Sequence, residues 1–171
     1  TTVATNALLE RTGARVALVT NVGFADGIEI ARQDRPSLYD LWADRPAPLV
    51  ERSDRLEVAG RLGPDGIELQ PVVAADVPQV PDGVQAVAVC LLHSDLNDQH
   101  ERVVGDELER RGFDTSCSVD VSPEFREYER TVTTVANAYL RPVCRGYLEG
   151  IQEAADEVLV MTSAGGLAPV A

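Results

Sequence analysis

The sequence contains no lysine, and all 15 of its basic residues are arginine. A Walker-type phosphate loop, a Schiff-base enzyme and a lysine general base each need the lysine ε-amine, so these three classes are excluded for this chain. The basic residues are outnumbered by 28 acidic ones, which sets the formal net charge at −13. A surface of that sign repels phosphate backbones unless a basic patch overrides it. No such patch is visible, so the composition predicts no nucleic-acid partner.

Histidine and cysteine are also scarce. With His93 and His100 as the only histidines, a Ser-His-Asp or Cys-His catalytic site is disfavoured. His93 follows a predicted strand, where α/β proteins bind ligands, although a capping or surface role is commoner there, and His100 is expected in solvent. The three cysteines are odd in number and far apart, which favours buried free thiols over a disulfide or a metal site. We therefore predict no metal ligands in this chain.

Long hydrophobic runs are missing as well. No stretch approaches the roughly 18 apolar residues of a membrane-spanning helix, and residues 1–13 lack the basic and apolar regions of a secretory signal. These absences predict no membrane partner and a cytoplasmic location. With 171 residues, 44% of them hydrophobic, the chain is nevertheless long enough to bury one respectable core.

Four stretches have the apolar content of β-strands. The runs at residues 16–19 and 84–92 are nearly continuous, as in strands that are covered on both faces, and further strands are predicted over 113–121 and 158–161. A β-hairpin is predicted where Leu56, Val58 and Leu62 alternate with polar residues before the turn at residues 63–66.

Three shorter helices are indicated by periodicity and by terminal residues. Residues 2–11 predict a helix that ends at Gly13 in a left-handed conformation, and a short helix is predicted before Asp34. A third helix would begin after Asn97 or Asp98 and end near Gly112.

The longest helical pattern spans residues 123–151. Ser122 is placed to cap it and Pro123 suits its first position, whereas Pro142 should bend or divide it. An apolar stripe at spacings of three and four predicts a buried face that includes Tyr128, Val132, Val135 and Tyr139. Strands that alternate with helices predict an α/β fold, a mixed sheet with flanking helices and a β-hairpin excursion.

Two groups of charged residues are candidates for a functional site. Glu127 and Arg130 are spaced for an ion pair on one helical face. Arg32 and Arg35 carry guanidinium groups that suit a carboxylate or a phosphate, although such arginines often pair locally. Spacing alone leaves both alternatives open.

Three long stretches carry a family resemblance. They are TTVATNALLERTGARVALVTNVGFADGIEIARQDRPSLYDL, AVAVCLLHSDLNDQHE and SPEFREYERTVTTVANAYLRPV. Each resembles the hydantoinase A / 5-oxoprolinase family, which includes N-methylhydantoinases and the acetone and acetophenone carboxylases. The resemblance extends over nearly the whole chain.

The resemblance implies an actin-like ATPase-type fold and an ATP-dependent reaction. Family members phosphorylate a carbonyl or amide oxygen with ATP and Mg²⁺, commonly with a B-type partner subunit, and then open a cyclic amide or carboxylate a ketone. The leading function is thus part of a hydantoinase/oxoprolinase-type hydrolase. The alternatives are a non-catalytic ligand-binding or subunit-interface module and part of an actin-like small-molecule kinase.

The resemblance also implies a domain division. Residues 1–142 correspond to the N-terminal region of the family, truncated at its start, and residues 143–171 to the beginning of the following hydantoinase A domain. The family's glycine-rich phosphate loops fall outside the chain. We therefore expect neither a bound cofactor nor activity in the isolated chain, and no catalytic residue can be named.

The matching motifs suggest two sets of site residues. Candidates for a cleft that receives phosphate or substrate are Thr1, Thr2 and Asn6 of the TT-ATNA motif, joined by Arg32 and Arg35. Candidates for the wall of that cleft are Glu127, Arg130 and Thr133 of the FREYERT-T motif, with Glu127 and Arg130 expected to pair.

Overall fold

The structure is a computed structural model that describes residues 2–152, 158–161 and 166–169. The chain divides into two units, one formed by Ala14–Tyr139 and the other by Thr1–Gly13 together with Leu140–Ala171. In chain order the helices are α1 (Val3–Leu9), α2 (Gly27–Ile30), α3 (Gln99–Arg110), α4 (Ser118–Val121) and α5 (Glu127–Gln152). The strands are β1 (Val16–Asn21), β2 (Arg55–Val58), β3 (Arg61–Leu62), β4 (Glu68–Gln70), β5 (Ala86–Val89), β6 (Asp114–Cys117), β7 (Leu159–Met161) and β8 (Leu167–Pro169).

The larger unit contains a four-stranded parallel sheet in the order β2-β1-β5-β6. Every residue of β1 and β5 is buried, as their continuous apolar runs predict for central strands of a parallel sheet. The chain passes from β1 to β2 on one side and then returns to β5 on the other. The strand order therefore reverses between β1 and β5, and parallel sheets bind ligands at the carboxyl ends of strands that flank such a reversal.

The two faces of the sheet carry different side chains because successive residues of a strand point to opposite sides. Ala17, Val19, Val87 and Val89 belong to a core that also contains Val104 and Leu108 of α3. Leu18 and Thr20 alternate with those β1 residues and lie on the opposite face. Helix α5 is tied to that side by a hydrogen bond from Asn137 to Ser116.

The predicted hairpin is correct only in its second half. Strands β3 and β4 form an antiparallel pair, and the turn closes where the Gly63 amide donates to Ile67 O, with Gly66 at φ 76°. Leu56 and Val58 instead lie in β2, which pairs with β1 as an edge of the main sheet. Alternation is common to hairpin strands and to edge strands, so the sequence pattern does not separate them.

Two predicted boundaries were wrong. The strand expected over residues 113–121 ends at Cys117, because the buried Glu101 carboxylate accepts hydrogen bonds from the Ser118 hydroxyl and the Val119 amide and the chain turns into α4. The long helix begins at Glu127 rather than at Pro123, and Ser122 ends α4 instead of capping α5. Of the two outcomes predicted for Pro142, division of the helix does not occur, because Pro142 lies inside the continuous helix α5.

The buried face of α5 differs in part from the predicted stripe. Val135 and Tyr139 are buried, but Tyr128 is half-buried and Val132 is 37% exposed. Arg130, Thr134 and Ala138 take the remaining buried positions. His100, expected in solvent, is also buried, with Nε2 2.8 Å from the Glu68 carboxylate of the hairpin.

The smaller unit contains α1 and a two-stranded antiparallel sheet of β7 and β8. The predicted strand at residues 158–161 is thus present, as β7, and it pairs with β8. Helix α1 ends at Leu9, and Arg11, not Gly13, adopts the left-handed conformation at φ 54°. Within the described residues, none of the helices combines the length and apolarity needed to cross a bilayer.

Candidate functional site

A pocket of about 500 Å³ opens on the α5 side of the sheet, at the carboxyl end of β1 and just beyond β5. Its lining includes Thr20 near the end of β1 and Cys90 to Leu92 directly after β5. This is the place where the strand order reverses. The volume falls within the roughly 300–1,000 Å³ of ordinary small-molecule sites, so we call it the switch-point pocket.

The floor of the switch-point pocket is built from the sheet. Leu18, Thr20 and Cys90 contribute side chains that are 1%, 7% and 3% exposed. Among the residues that the structure describes, none forms a hydrogen bond with the Thr20 hydroxyl. The hydroxyl oxygen of Thr20 is not completely buried, so it can be reached from the pocket. Thr20 therefore offers a donor and an acceptor to a molecule in the pocket.

The thiol of Cys90 is held in its neutral form. Burial raises its pKa, and the nearby Glu101 carboxylate raises it further. Thr131 Oγ1 lies 3.1 Å from the Cys90 sulfur and donates to Glu127 O at 2.7 Å. Because a hydroxyl has one proton, Thr131 shares it between Glu127 O and the Cys90 sulfur. A neutral, hydrogen-bonded thiol is a poor nucleophile, so Cys90 shapes the floor without supplying a thiolate.

Aromatic and aliphatic side chains form the walls. Phe24, Ile28 and Ala31 approach from the α2 segment, and Phe125 and Tyr128 from the start of α5. The loop that carries Phe24 is fixed by Glu57, which accepts hydrogen bonds from the amides of Gly23 at 2.7 Å and Ala25 at 3.4 Å.

An ion pair joins these two walls. Arg32 donates from Nη2 to both carboxylate oxygens of Glu129, at 2.7 and 2.6 Å, and from Nε at 2.9 Å. Such forked pairing fixes geometry as well as charge. Arg32 was predicted to face the cleft, and it does line the pocket, but its guanidinium group is already bound to α5. The pair also lowers the pKa of Glu129.

Arg130 joins α5 to the chain segment that forms the pocket floor. It is fully buried and donates to Asp95 Oδ1 at 2.9 Å, Glu124 O at 2.8 Å and Leu91 O at 2.7 Å. The ion pair expected with Glu127 is therefore replaced by one with Asp95, while Glu127 is exposed at the rim. Because Leu91 lines the pocket, Arg130 ties α5 to its floor.

The remaining predicted site residues are Thr133, Arg35, Thr2, Asn6 and Thr1. Thr133 is exposed and donates back to Glu129 O at 2.8 Å, so it is bonded within the helix, and Arg35 is exposed on the loop after α2. Thr2 and Asn6 are exposed residues of the smaller unit, and Thr1 lies outside the described residues.

The sequence did contain a signal for Thr20. It is the first polar residue after the apolar run 16–19, and the rule that drew attention to His93 after the other central strand applies equally to β1. Nothing in the sequence shows that its hydroxyl lacks a partner in the described part of the chain, because that depends on which helices cover this face.

Comparisons with known proteins agree with the resemblance. Residues 1–112 match the hydantoinase/oxoprolinase N-terminal region and residues 130–171 match the hydantoinase/oxoprolinase domain. The chain is 37% identical to the caprolactamase subunit alpha of Pseudomonas jessenii, over 99% of this chain and 26% of that protein. It is 35% identical to 5-oxoprolinase 1 of Arabidopsis thaliana, over 99% of this chain and 16% of that protein.

The fold is shared as well. The crystal structure of ATP-dependent caprolactamase from Pseudomonas jessenii superposes with a TM-score of 0.83 at 36% identity, over 90% of this chain and 24% of that one. The predicted α/β class, as part of an actin-like ATPase-type fold, is confirmed. The chain spans about a quarter or less of these relatives. On these matches, it belongs to the hydantoinase/oxoprolinase family.

Proposed function

We propose that these residues are part of an ATP-dependent hydrolase that opens a cyclic amide after phosphorylating its oxygen. The observation that carries the proposal is the match to the caprolactamase subunit alpha along 99% of this chain, joined by the agreement in fold. Phosphorylation of the amide oxygen makes the ring carbon more electrophilic, so water adds to that carbon and the ring nitrogen leaves with a proton. A second water then hydrolyses the resulting acyl phosphate to the free carboxylate and phosphate. ADP, phosphate and an amino acid are the expected products.

ATP and Mg²⁺ belong to the proposal for the intact enzyme. Phosphoryl transfer depends on positioned charge around the phosphates far more than on covalent catalysis. We assign Thr1, Thr2 and Asn6 to the phosphate or substrate cleft of that enzyme, as the TT-ATNA resemblance implies. The domain division at residues 142 and 143 is part of the same proposal, as is the inactivity of the isolated chain.

An exposed apolar segment supports the proposal that the protein binds a partner subunit. Leu38, Tyr39, Leu41 and Trp42 are between 79% and 98% exposed, and clustered exposed apolar side chains mark interaction surfaces. We propose that a B-type subunit covers this segment. Trp42 is the only tryptophan in the chain, so its fluorescence should shift to the blue when the partner is added. An unchanged spectrum in a complex that co-purifies would place the interface elsewhere.

The test of the hydrolase is product analysis with the full-length polypeptide and its partner. With ATP, Mg²⁺ and ε-caprolactam, hydantoin or 5-oxoproline, we expect ADP release and a ring-opened product in equal amounts. A stable phosphorylated product would favour the small-molecule kinase instead. Turnover of neither kind, with a saturable lactam complex, would favour the non-catalytic binding module.

A further inference from the structure

The switch-point pocket combines an apolar wall with a neutral polar floor. Of the described residues that line it, the charged ones are Arg32, Arg126 and Glu127. Arg32 is bound by Glu129, and the other two are exposed and opposite in charge at the rim. The floor presents the Thr20 hydroxyl, the neutral thiol of Cys90 and the hydroxyl of Thr131.

This lining favours neutral ligands over charged ones. An ionised group moved onto the floor would lose its hydration without gaining a counter-ion, whereas an apolar ring would gain by leaving water. One hydrogen bond remains on offer, because Thr20 is 7% exposed and none of the described side or main chains bonds to its hydroxyl. The hydroxyl can donate to a carbonyl oxygen.

We propose that the switch-point pocket is a binding site for a small, neutral, ring-shaped carbonyl compound of the lactam type, with the Thr20 hydroxyl donating to its carbonyl oxygen. The ring lies among Phe24, Ile28 and Tyr128. The inference rests on the proposed function for the choice of a lactam, and it adds a location and a recognition residue. Ile28, Ala31 and Tyr128 also line a second cavity.

The test is lactam binding by the purified 171-residue chain, which does not require catalysis. The probes are ε-caprolactam and its ring-opened, zwitterionic product 6-aminohexanoate, titrated while protein NMR spectra are recorded. We expect saturable shifts of the Thr20, Leu18 and Ile28 methyl signals with ε-caprolactam and none with 6-aminohexanoate. An absence of saturable shifts with the lactam, or shifts confined to other residues, would overturn the proposal.

The key variant is Thr20→Val, which keeps the shape of the side chain and removes the hydroxyl. Its dissociation constant for ε-caprolactam should rise about fivefold, the usual effect of losing one neutral hydrogen bond, while Thr20→Ser should retain the affinity. The matched control is Thr115→Val, because Thr115 is also 7% exposed but lies on β6, outside the pocket lining. Equal affinities of the Thr20→Val and Thr115→Val proteins would refute the role of Thr20.

The proposed function and the proposed binding site can be refuted separately. If Thr20→Val weakens lactam binding but the full-length polypeptide does not open the ring with ATP, the proposed function is wrong and the site stands. If ring opening occurs and Thr20→Val leaves KM for the lactam unchanged, the site is wrong and the function stands.

Discussion

Nη1 of Arg130 lies 2.9 Å from Oδ1 of Asp95, and the two side chains are 0% and 11% exposed. The pair joins the first turn of α5 to the loop after β5, two segments that are 35 residues apart in sequence. Arg130 also donates to Leu91 O at 2.7 Å. One buried guanidinium group therefore positions α5 against the floor of the switch-point pocket.

Breaking this buried pair should destabilise the fold strongly. We expect Arg130→Met to lower the free energy of unfolding by about 3–5 kcal/mol, because it leaves the Asp95 carboxylate buried without its counter-ion. The measurement is urea denaturation at pH 7. Arg126→Met, four residues earlier and exposed, is the control and should change stability by less than about 0.5 kcal/mol. Equal midpoints for the two variants would contradict a structural role for Arg130.

The buried face of α5 can be tested by a pair of truncations. Tyr139 is 7% exposed and Val132 is 37% exposed. Tyr139→Ala should cost about 3–5 kcal/mol through lost apolar burial and a cavity, whereas Val132→Ala should cost less than about 1 kcal/mol. Thermal or urea unfolding measures both. A larger loss at Val132 would mean that the helix is rotated relative to the structure.

Glu107 provides a test of pH dependence. Hydrogen bonds from Arg110 and Arg111 lower the pKa of its carboxyl from 4.5 to about 2. A carboxyl with a depressed pKa stabilises the fold fully above its unfolded pKa and loses that contribution as the pH falls through the folded pKa. The stability lost in Glu107→Gln should therefore be constant above about pH 5 and should disappear between about pH 4 and pH 2.

The control for that experiment is Glu109→Gln. Glu109 is an exposed acid on the same helix, and its substitution should leave the acid unfolding curve close to that of the wild type. If Glu107→Gln and Glu109→Gln shift the curve equally, the two arginines do not bind Glu107 in solution.

The cysteines should differ in reactivity. Burial raises the pKa of Cys90, and burial with the Glu101 charge raises that of Cys117 to about 12, so few thiolates exist at either position at neutral pH. Cys144 is half-buried on α5. We expect one thiol to react rapidly with a disulfide reagent at pH 8 and three to react in denaturant, and Cys144→Ser should abolish the rapid phase. Rapid modification of two or more thiols in the native protein would contradict the burial of Cys90 and Cys117.

Much of the fold was predictable because it depends on local patterns. Continuous apolar runs identified β1 and β5, which are buried on both faces, and periodicity identified α3 and α5. The ends of helices and strands were predicted less well where a residue distant in sequence determines them. Glu101 ends β6 by capturing Ser118 and Val119, and no residue near Cys117 in sequence signals that contact.

For the candidate site, too, the sequence predicted some features and only the tertiary structure showed the others. The sequence by itself showed a resemblance to the hydantoinase/oxoprolinase family and the absence of lysine, and it singled out Arg32 and Arg130 as candidate site residues without settling their partners. Only the tertiary structure decided that their partners are Glu129 and Asp95 and that none of the described residues bonds to the Thr20 hydroxyl. Local spacing limits which neighbours on one helix can pair. The partners of a buried group are instead set by the order of strands in the sheet and by the helices that cover it.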